Sequence, residues 1–307
     1  MIELSRELPD KSMANEPEQL LYGLPAYGKV SSGQEPLCFY GLSPGGLCCR
    51  VSFTAGEHEV ISLMNAPFSG IDIAPSCTHS EVLAWLQQVE KHLKSAGYKT
   101  VTLHQPPAVY GNQSLVERVL TASGYQLISS RNFHVISVNE RPLTSQMSGM
   151  QLRRFRKLLR EEPVFERYDS SALSTVFRQI EQWRNTVDQP VSLGKEQLLE
   201  QVKACKGHYH AFGLSLKNRL AAATVAVRVR EDALYHFLPA SDRGLHSVSP
   251  MVGLVNGLYD WCRQQGITML DLGSSYVRGI EKASLVRFKE SLGAKASVAL
   301  SWQKTLS

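Results

Sequence analysis

The stretch LYHFLPASDRGLHSVSPMVGLVNGLYDWCRQQGITMLDLGSS, residues 234–275, decides the fold of the second half of the chain. It begins in an apolar strand spanning Asp232 to Leu238, runs through a polar loop and continues as a helix from Pro250 to Gln265. Proline at the first helical position and Gly266 after the last one are typical helix boundaries. A second apolar strand, Thr268 to Leu272, follows at once. The pattern therefore predicts a strand–loop–helix–strand unit within a mixed sheet.

The first half of the chain contains a similar unit. VEKHLKSAGYKTVTL at residues 89–103 aligns with LYDWCRQQGITMLDL at residues 258–272 when Gly97 is placed over Gly266. Each is an amphipathic helix, a glycine stop and a short apolar strand, and each follows a run of predicted antiparallel strands. This order favours a duplicated α+β domain. The alternative is a chance likeness, because glycine ends many helices.

Composition sets limits on the class of protein. The chain has 307 residues, 43% hydrophobic and 20% charged, which is typical of a globular protein of about two domains. The net charge of +5 permits an anionic ligand without the dense basic patch of a dedicated nucleic-acid binder. No window approaches the ~18 apolar residues of a membrane span, and the N-terminus lacks the apolar segment of a secretory signal. The six cysteines show no zinc-type spacing, so we expect reduced thiols, no metal and a cytoplasmic location.

Three features of the second half point to a family. A basic helix leads through an extended segment into a second helix over residues 152–183, residues 234–275 carry a Ser-Pro loop and an aspartate-bearing strand, and FKESLG occupies residues 288–293. Together, over roughly Leu152 to Leu300, they resemble the Fem-type branch of the GNAT acyltransferases. The first half is similar only in its order of elements. The resemblance implies an α+β fold of two tandem GNAT-like domains, each a mixed, mostly antiparallel sheet flanked by helices. The corresponding divisions are an N-terminal arm at 1–36, a first GNAT-like domain at 37–150 and a second at 151–307 that holds the acyltransferase site.

The polar loop from Ala240 to Pro250 is the candidate donor-binding site. It enters a helix N-terminus, where backbone N–H groups and the helix dipole favour a phosphate or an oxyanion. The guanidinium of Arg243 can add a forked contact to a pyrophosphate. Of the Q/R-x-x-G-x-G/A loop of ordinary GNAT enzymes, the sequence keeps only an Arg-Gly pair. The alternative is an ordinary loop with Ser249 as the helix N-cap. The candidate donor-binding residues are Arg243, Gly244, His246, Ser247 and Ser249.

The strands on either side of this loop carry candidate catalytic residues. Asp271 interrupts an apolar strand and can accept a proton or orient a substrate, or it can instead form an Asx-turn with the following residues. Tyr235 and His236 lie on the strand that leads into the loop and face opposite sides, with ordinary packing as the alternative for each. Pro239 cannot donate to a sheet ladder, so we expect the strand to splay or bulge there. The resemblance places the donor's pantetheine arm in such a gap.

Lys289 is the remaining catalytic candidate. The segment SLVRFKESLG, residues 284–293, predicts a helix, and the lysine lies beside its apolar face, over which it can extend its stem. The predicted apolar face consists of Leu285, Phe288 and Leu292. The lysine also matches the FK motif of the Fem-type resemblance, which implies that it neutralises a phosphate or stabilises an oxyanion. The alternative is a surface lysine paired with Glu281 or Glu290.

A basic helix opens the second half. Residues Gln151 to Arg160 include five cations within eight positions, interleaved with a narrow apolar stripe. The cations are Arg153, Arg154, Arg156, Lys157 and Arg160. Such a helix can contact a phosphate-bearing donor or an RNA backbone. It can equally be a solvated face paired with Glu161 and Glu162.

These observations favour an N-acyltransferase that moves an acyl group from acetyl-CoA or another acyl-CoA to an amine of a small-molecule or peptide acceptor. Such a reaction depends on orientation and on N–H stabilisation of an oxyanion, so an enzyme of this kind needs no sharp sequence motif. Two alternatives remain open. The Fem-type resemblance implies an aminoacyltransferase that uses aminoacyl-tRNA, and a non-catalytic binding protein can retain the same fold.

Overall fold

Strands and helices alternate along the chain in the computed structural model, which describes residues 2–7, 17, 20–44, 46–62, 65–191 and 193–306. The strands are β1 (Glu3–Ser5), β2 (Leu37–Ser43), β3 (Gly46–Ala55), β4 (Glu59–Ser62), β5 (Ile71–Ile73), β6 (Thr100–His104), β7 (Gln126–Ser137), β8 (Val164–Tyr168), β9 (Tyr209–Leu216), β10 (Arg219–Arg230), β11 (Ala233–Ser241), β12 (Met269–Ser274), β13 (Tyr276–Val277), β14 (Ile280–Glu281) and β15 (Lys295–Thr305). The α-helices are α1 (Pro25–Ser32), α2 (His79–Ser95), α3 (Gln113–Ala122), α4 (Gly149–Leu159), α5 (Leu173–Asn185), α6 (Lys195–Ala204), α7 (Pro250–Gln264) and α8 (Ala283–Ser291). None of these helices is long and apolar enough to cross a lipid bilayer.

The chain divides into two units. The first comprises Met1–Asn132 and Ser297–Ser307, and the second comprises Phe133–Ala296. Each unit has its own apolar core, formed between its sheet and its helices. In the first unit the core is built around Trp85 of α2, which is completely buried. In the second it is built around α7, whose Leu254 and Leu258 are completely buried.

In the first unit, β2, β3 and β4 form an antiparallel meander, and β4 then pairs parallel with β6. Helix α2 makes the crossover between these two parallel strands. It begins at a capping box in which Thr78 and Glu81 bond each other's backbone N–H groups. It ends before Gly97, whose φ of 91° is readily adopted only by glycine. The last strand, β15, pairs antiparallel with β6 through residues Ser301–Thr305.

The second unit repeats this order. Strands β9, β10 and β11 form an antiparallel meander, β11 pairs parallel with β12, and α7 makes the crossover. Gly266, with a φ of 68°, follows α7 just as Gly97 follows α2. Strand β7 pairs antiparallel with β12 through residues Phe133–Ser137. The predicted α+β fold, mixed and mostly antiparallel with flanking helices, is therefore confirmed, and the strand orientations repeat in the same sequence in the two units. The strands do not form two separate sheets as predicted, because all of them except β13 and β14 belong to one sheet of thirteen strands.

The strand that completes each sheet comes from an unexpected part of the sequence. Strand β15, at the end of the chain, completes the sheet of the first unit, and the end of β7 completes the sheet of the second. The boundaries of the two units therefore differ from those of the predicted domains 37–150 and 151–307. Residues 133–150 belong to the second unit, and residues 297–307 belong to the first. Strand β7 is unusually long, because Gln126–Ser137 continue as one strand of twelve residues. Without these strands, the backbone N–H and C=O groups along the free edges of β6 and β12 would be unpaired. Strands β15 and β7 supply their hydrogen-bond partners.

The residues before β2, predicted as an N-terminal arm, contribute a strand and a helix to the first unit. Strand β1 pairs with β2, and α1 buries Tyr27. Leu21 and Tyr22, in a short 3-10 helix before α1, are each only 1% exposed. These apolar side chains hold the segment against the first unit. Positions 1, 8–16, 18 and 19 of the predicted arm lie outside the described residues, as do positions 45, 63 and 64 among the predicted antiparallel strands that follow it.

Gly257 provides a test of the packing around α7. A Cβ atom at this position would lie 2.1 Å from Cδ2 of Phe165, so the aromatic ring could not keep its place. We expect Gly257→Ala to lower the free energy of unfolding by about 1–2 kcal/mol, because overpacking outweighs the gain in helix propensity. Gly149→Ala, on α4 in open space, is the control and should be neutral or slightly stabilising. If urea unfolding gave the same free energy of unfolding for both variants, the close contact between Gly257 and the ring of Phe165 would be contradicted.

Candidate active site

An opening lies between two strands of the second unit. Strands β11 and β12 pair at only three positions, the last of which joins Tyr235 to Asp271. Beyond this point β11 stays paired with β10 as far as Ser241, whereas β12 stays paired with β7 as far as Ser274. The two strands therefore separate after Tyr235. The splay expected at Pro239 begins earlier in the chain, and Pro239 itself remains in register with β10.

Asp271 lies at the point where the strands separate. It is completely buried, and its Oδ1 accepts a hydrogen bond of 2.7 Å from the backbone N–H of Gly273. This is the turn-forming role that the sequence left open as the alternative. Gly273 has a φ of 73°, and a Cβ atom there would lie 3.0 Å from the ring of Tyr235. Glycine therefore lets the turn pass close under the tyrosine.

Lys289 binds the same turn. Its side chain on α8 is buried, and Nζ donates hydrogen bonds to the carbonyl oxygens of Gly273, at 2.8 Å, and Ser274, at 2.7 Å. Burial lowers the pKa of Lys289 to about 8, and the nearby Asp271 carboxylate opposes this shift. The alternative of a surface lysine paired with a glutamate is wrong. The predicted apolar face of α8 is also partly wrong, since Leu285 is 38% exposed while Lys289 points inward.

Two buried histidines are electrostatically coupled to Lys289. Burial and the lysine charge lower the pKa of His236, on β11, to about 3, so its ring is neutral near pH 7. The same two causes lower the pKa of His134, on β7. Nε2 of His236 and Nδ1 of His134 have no hydrogen-bond partner within the described chain, and neither does Oγ of Ser275. Buried polar atoms normally have partners, so each of these three atoms is a candidate to bond a polar ligand or water.

His134 is a site residue that the sequence analysis missed. It lies in NFHVIS, where a single histidine in an apolar strand carries no local signal. Only the pairing of β7 with β12 brings it into the second unit. Of the predicted catalytic residues, Tyr235 and His236 are adjacent on β11, and Asp271 and Lys289 lie on either side of the Gly273 turn. The structure thus places all four around one end of the opening.

The predicted donor-binding residues lie at the other end of β11. Asp242 accepts a hydrogen bond of 2.8 Å from the N–H of Gly244 and forms an ion pair with Arg219, which fixes the start of the loop. Residues Arg243–Val248 form a 3-10 helix that leads into α7. Ser249 occupies the N-cap position in a left-handed conformation, and its side chain makes no capping bond. The exposed residues of this loop are Arg243, Gly244, His246 and Ser247.

The basic helix α4 contacts this loop directly. Nζ of Lys157 donates a hydrogen bond of 2.9 Å to the carbonyl oxygen of Ser247. Its other cations, namely Arg153, Arg154, Arg156 and Arg160, are exposed. Glu161, offered as a partner for the helix, pairs with Lys217 instead. Positive charge is therefore concentrated beside the loop that precedes α7.

The two groups of residues are separated along β11. From His236 to Asp242 the strand advances six residues, which corresponds to about 20 Å. An elongated ligand could therefore lie in the opening, with an anionic group at the loop and its reactive end at the Gly273 turn. Within the described ranges, no cluster of three or more histidine, cysteine or acidic residues could hold a metal ion.

Comparisons with known proteins agree with this geometry. Residues 149–282 match the acetyltransferase (GNAT) domain family. The crystal structure of FemX is similar, with 11% identity, a TM-score of 0.72 and coverage of 93% of this chain and 92% of that chain. L-PGS from Bacillus licheniformis is 14% identical, with a TM-score of 0.57 and coverage of 90% and 85%. A tandem GNAT protein from the clavulanic acid biosynthesis pathway is 10% identical, with a TM-score of 0.54 and coverage of 100% and 99%. No curated protein matches the sequence.

Residues 149–282 thus carry the match to the GNAT acetyltransferase domain family, the class of acyltransferases to which this part of the chain is similar. The chain as a whole has a fold similar to those of FemX and of a tandem GNAT protein.

The pKa of Lys289 leads to a prediction about stability. Between pH 8 and 10.5 the unfolded chain holds a proton on this lysine that the folded protein has lost. The free energy of unfolding of the wild type should therefore rise with pH across this window relative to that of Lys289→Met, which has no group to titrate. Below about pH 8 Lys289 is protonated in both the folded and the unfolded protein. The difference in the free energy of unfolding between the wild type and Lys289→Met should therefore stay constant there. Urea unfolding of both proteins from pH 7 to 10 measures it.

Lys282→Met is the matched control, because Lys282 precedes the same helix and is exposed. The difference in the free energy of unfolding between Lys282→Met and the wild type should be nearly independent of pH. A flat difference for Lys289→Met as well would show that Lys289 titrates normally and that its buried position is wrong.

Proposed function

We propose that the chain is an N-acyltransferase that transfers an acyl group from acetyl-CoA or another acyl-CoA to an amine of a small-molecule or peptide acceptor. The observation that carries the proposal is the separation of β11 and β12 after Tyr235 and Asp271. This opening has a cationic loop at one end and a buried lysine at the other. An elongated thioester with phosphates at its far end matches both features.

The loop residues suit the phosphate end of such a donor. Arg243 is exposed and has no ion-pair partner among the described residues, so its guanidinium is available for a forked contact. The N-terminus of α7 adds the positive end of a helix dipole. His246 and Ser247 offer further donors on the same exposed face, and Gly244 and Ser249 shape the backbone. Lys157 steadies the loop through the carbonyl of Ser247.

The turn residues suit the reacting end. Acyl transfer forms a tetrahedral oxyanion when the amine nitrogen attacks the thioester carbonyl, and its collapse releases the thiolate. Near pH 7 Lys289 is mostly protonated, since its pKa is about 8. Two of its three N–H groups bind the turn, and the third is left to stabilise negative charge. Asp271 holds the turn in place through Gly273.

The histidine and the tyrosine have different proposed roles. A pKa of about 3 makes His236 a poor general base, so we assign it a hydrogen bond to the substrate through its unpartnered Nε2. The hydroxyl of Tyr235 would lie 3.2 Å from a Cβ atom at Gly273, which places a hydrogen-bond donor beside the turn. The acceptor amine would lose its proton to water or to the leaving thiolate.

An activity measurement tests this proposal. Purified protein, acetyl-CoA and a panel of amines should release free thiol in the presence of at least one amine. Lys289→Met should lower kcat/KM by about 10²-fold, equivalent to about 2.7 kcal/mol, when it is assayed at a temperature at which its unfolding curve shows the variant to be folded. Lys282→Met should retain full activity. A fully active Lys289→Met protein would rule out the role given to the lysine, and the absence of thiol release with every acyl-CoA would favour a non-catalytic binding protein.

Arg243 can be tested by binding alone. We expect Arg243→Ala to weaken acetyl-CoA binding by about 1.5–3 kcal/mol, because it removes a hydrogen bond to a charged group. The control is Arg263→Ala, which removes the same charge from the last turn of α7, at the opposite end of that helix from the loop. Isothermal titration of the two variants should show a loss only for Arg243→Ala. Equal affinities would mean that the loop does not bind the phosphates.

A second candidate is the Fem-type aminoacyltransferase, with aminoacyl-tRNA as the donor. It is favoured by the exposed cations of α4 next to the loop, which extend the positive surface beyond what one pyrophosphate needs. Titration of the wild type with aminoacyl-tRNA and with acyl-CoA distinguishes the two candidates. Micromolar binding of the RNA with a steep salt dependence, and no binding of acyl-CoA, would replace the first proposal with the second.

A further inference from the structure

An open cavity lies between α4, β8 and α7 in the second unit. Its volume is about 460 Å³, which is within the range of small-molecule pockets. Its apolar walls include Phe155 and Leu159 of α4, Phe165 of β8 and Trp261 of α7. Among the described residues that line it, none belongs to the donor loop or to the Gly273 turn. The cavity is therefore a different place from the candidate active site.

Two glycines of α7 leave room for this cavity. Gly253 and Gly257 are four residues apart, so they lie on the same face of the helix, and both line the cavity. The ring of Phe165 is stacked on that of Phe212, with 5.7 Å between the ring centroids, and Phe212 meets Trp261 edge to face at 5.1 Å. These contacts fix the two aromatic walls. A flat aromatic ligand can stack on such walls or meet their edges.

One arginine at the cavity has a charge that the chain leaves available. Arg167 follows Phe165 by two residues on β8, so both side chains point to the same side of the sheet. It is exposed, and its guanidinium carbon lies 5.9 Å from the centroid of the Trp261 ring. It forms no ion pair with any described residue. Its planar fork of N–H donors is therefore available to a carboxylate.

The acidic residue that lines the cavity already has partners. Asp260 of α7 forms an ion pair of 3.4 Å with Arg263 and accepts a hydrogen bond of 3.0 Å from Nδ2 of Asn256. With Arg167, the two arginines outnumber this carboxylate. The cavity therefore favours an anionic ligand over a cationic one.

A buried histidine lies beside the Trp261 wall. The ring centroid of His210 is 5.3 Å from that of Trp261, and Nε2 of His210 has no hydrogen-bond partner within the described chain. Burial, followed by the charge of Arg167, lowers the pKa of His210 to about 4, so the ring is neutral near pH 7. In one of its two neutral tautomers this nitrogen can donate to a ligand oxygen.

We propose that this cavity binds an aromatic monocarboxylate, with its rings against Phe165 and Trp261 and its carboxylate on the guanidinium of Arg167. A single carboxylate matches the one unpaired cation among the described lining residues, and a flat ring system matches the aromatic walls. The ligand is not the acyl donor, whose phosphates are assigned to the loop before α7. The site therefore goes beyond the proposed acyl transfer.

Calorimetric titration of the full-length protein with naphthalene-2-carboxylate at pH 7 tests the proposal. Naphthalene-2-carboxamide has the same rings without the charge, and octanoate has the same charge without the rings. We expect saturable binding of the naphthoate with a Kd below about 1 mM. The carboxamide should bind at least about tenfold more weakly, and octanoate at least about threefold more weakly. Equal binding of either comparison ligand would overturn the ligand class, and the absence of saturable naphthoate binding would overturn the site.

Two variants test the position of the carboxylate. Arg167→Gln should lower the affinity for naphthalene-2-carboxylate by at least about tenfold and leave that for the carboxamide unchanged. The matched control is Arg178→Gln, because Arg178 is an exposed arginine that lines a separate cavity beside α5. It should bind the naphthoate like the wild type. An unchanged affinity in Arg167→Gln, or an equal loss in Arg178→Gln, would contradict the assignment.

The indole N–H resonance of Trp261 locates the ligand without relying on its charge. In a proton–nitrogen correlation spectrum, this resonance is identified by its loss in Trp261→Phe. It should shift when the wild type is titrated with naphthalene-2-carboxylate, whereas that of Trp85, completely buried in the first unit, should not. A Trp261 resonance that stays in place at saturation would overturn the site. The titrations remain decisive if Trp261→Phe fails to fold, and they need no acyl-CoA, so failure of the acyltransferase proposal would not change their outcome.

Discussion

The hydrogen bonds from Lys289 to the carbonyl oxygens of Gly273 and Ser274 are the contacts on which the shape of the candidate site depends. When β12 leaves β11, backbone carbonyls at its end lose the chance of a ladder partner on that side, and buried carbonyls need donors. The lysine supplies them from α8. Asp271 stabilises the same turn from within by accepting the N–H of Gly273. The opening between the strands is therefore built by a buried cation and a buried anion on either side of one glycine.

The two units show why only one of them carries this arrangement. In each, a helix after the second parallel strand ends before a glycine with positive φ, Gly124 in the first unit and Gly293 in the second. Four residues before that glycine, the second unit has Lys289, and the first has Leu120, which is completely buried. The position of Asp271 is likewise taken by Thr102 when the glycines after α2 and α7 are aligned. The first unit keeps the fold and has uncharged side chains at these two positions, whereas the second gives up some stability by burying charges.

The basic loop before α7 and the buried turn at Gly273 lie at opposite ends of one strand, and they suit different parts of the proposed reaction: binding at the loop and chemistry at the turn. Strand β11 joins them, and it stays paired with β10 as far as Ser241, with a register shift between Tyr235 and Leu238. The cations of α4 gather at the exposed end, where solvent screens their mutual repulsion. At the other end, burial strengthens every electrostatic interaction and holds His236 neutral. Binding and chemistry are thus placed in environments of opposite polarity.

Local sequence patterns determined the secondary structure of the two repeated units and identified most of the candidate site residues. The 3.6-residue period of α2 and α7, the glycines after them and the apolar strands predicted the two repeated units, because these features depend on neighbours in the chain. They also predicted the candidate residues on β11 and β12. Only the tertiary structure decided which strand completes each sheet, since β7 and β15 find partners far away in sequence. The burial of Lys289 and the contribution of His134 have the same origin: pairing across long stretches of chain sets both environments, and no local period encodes it.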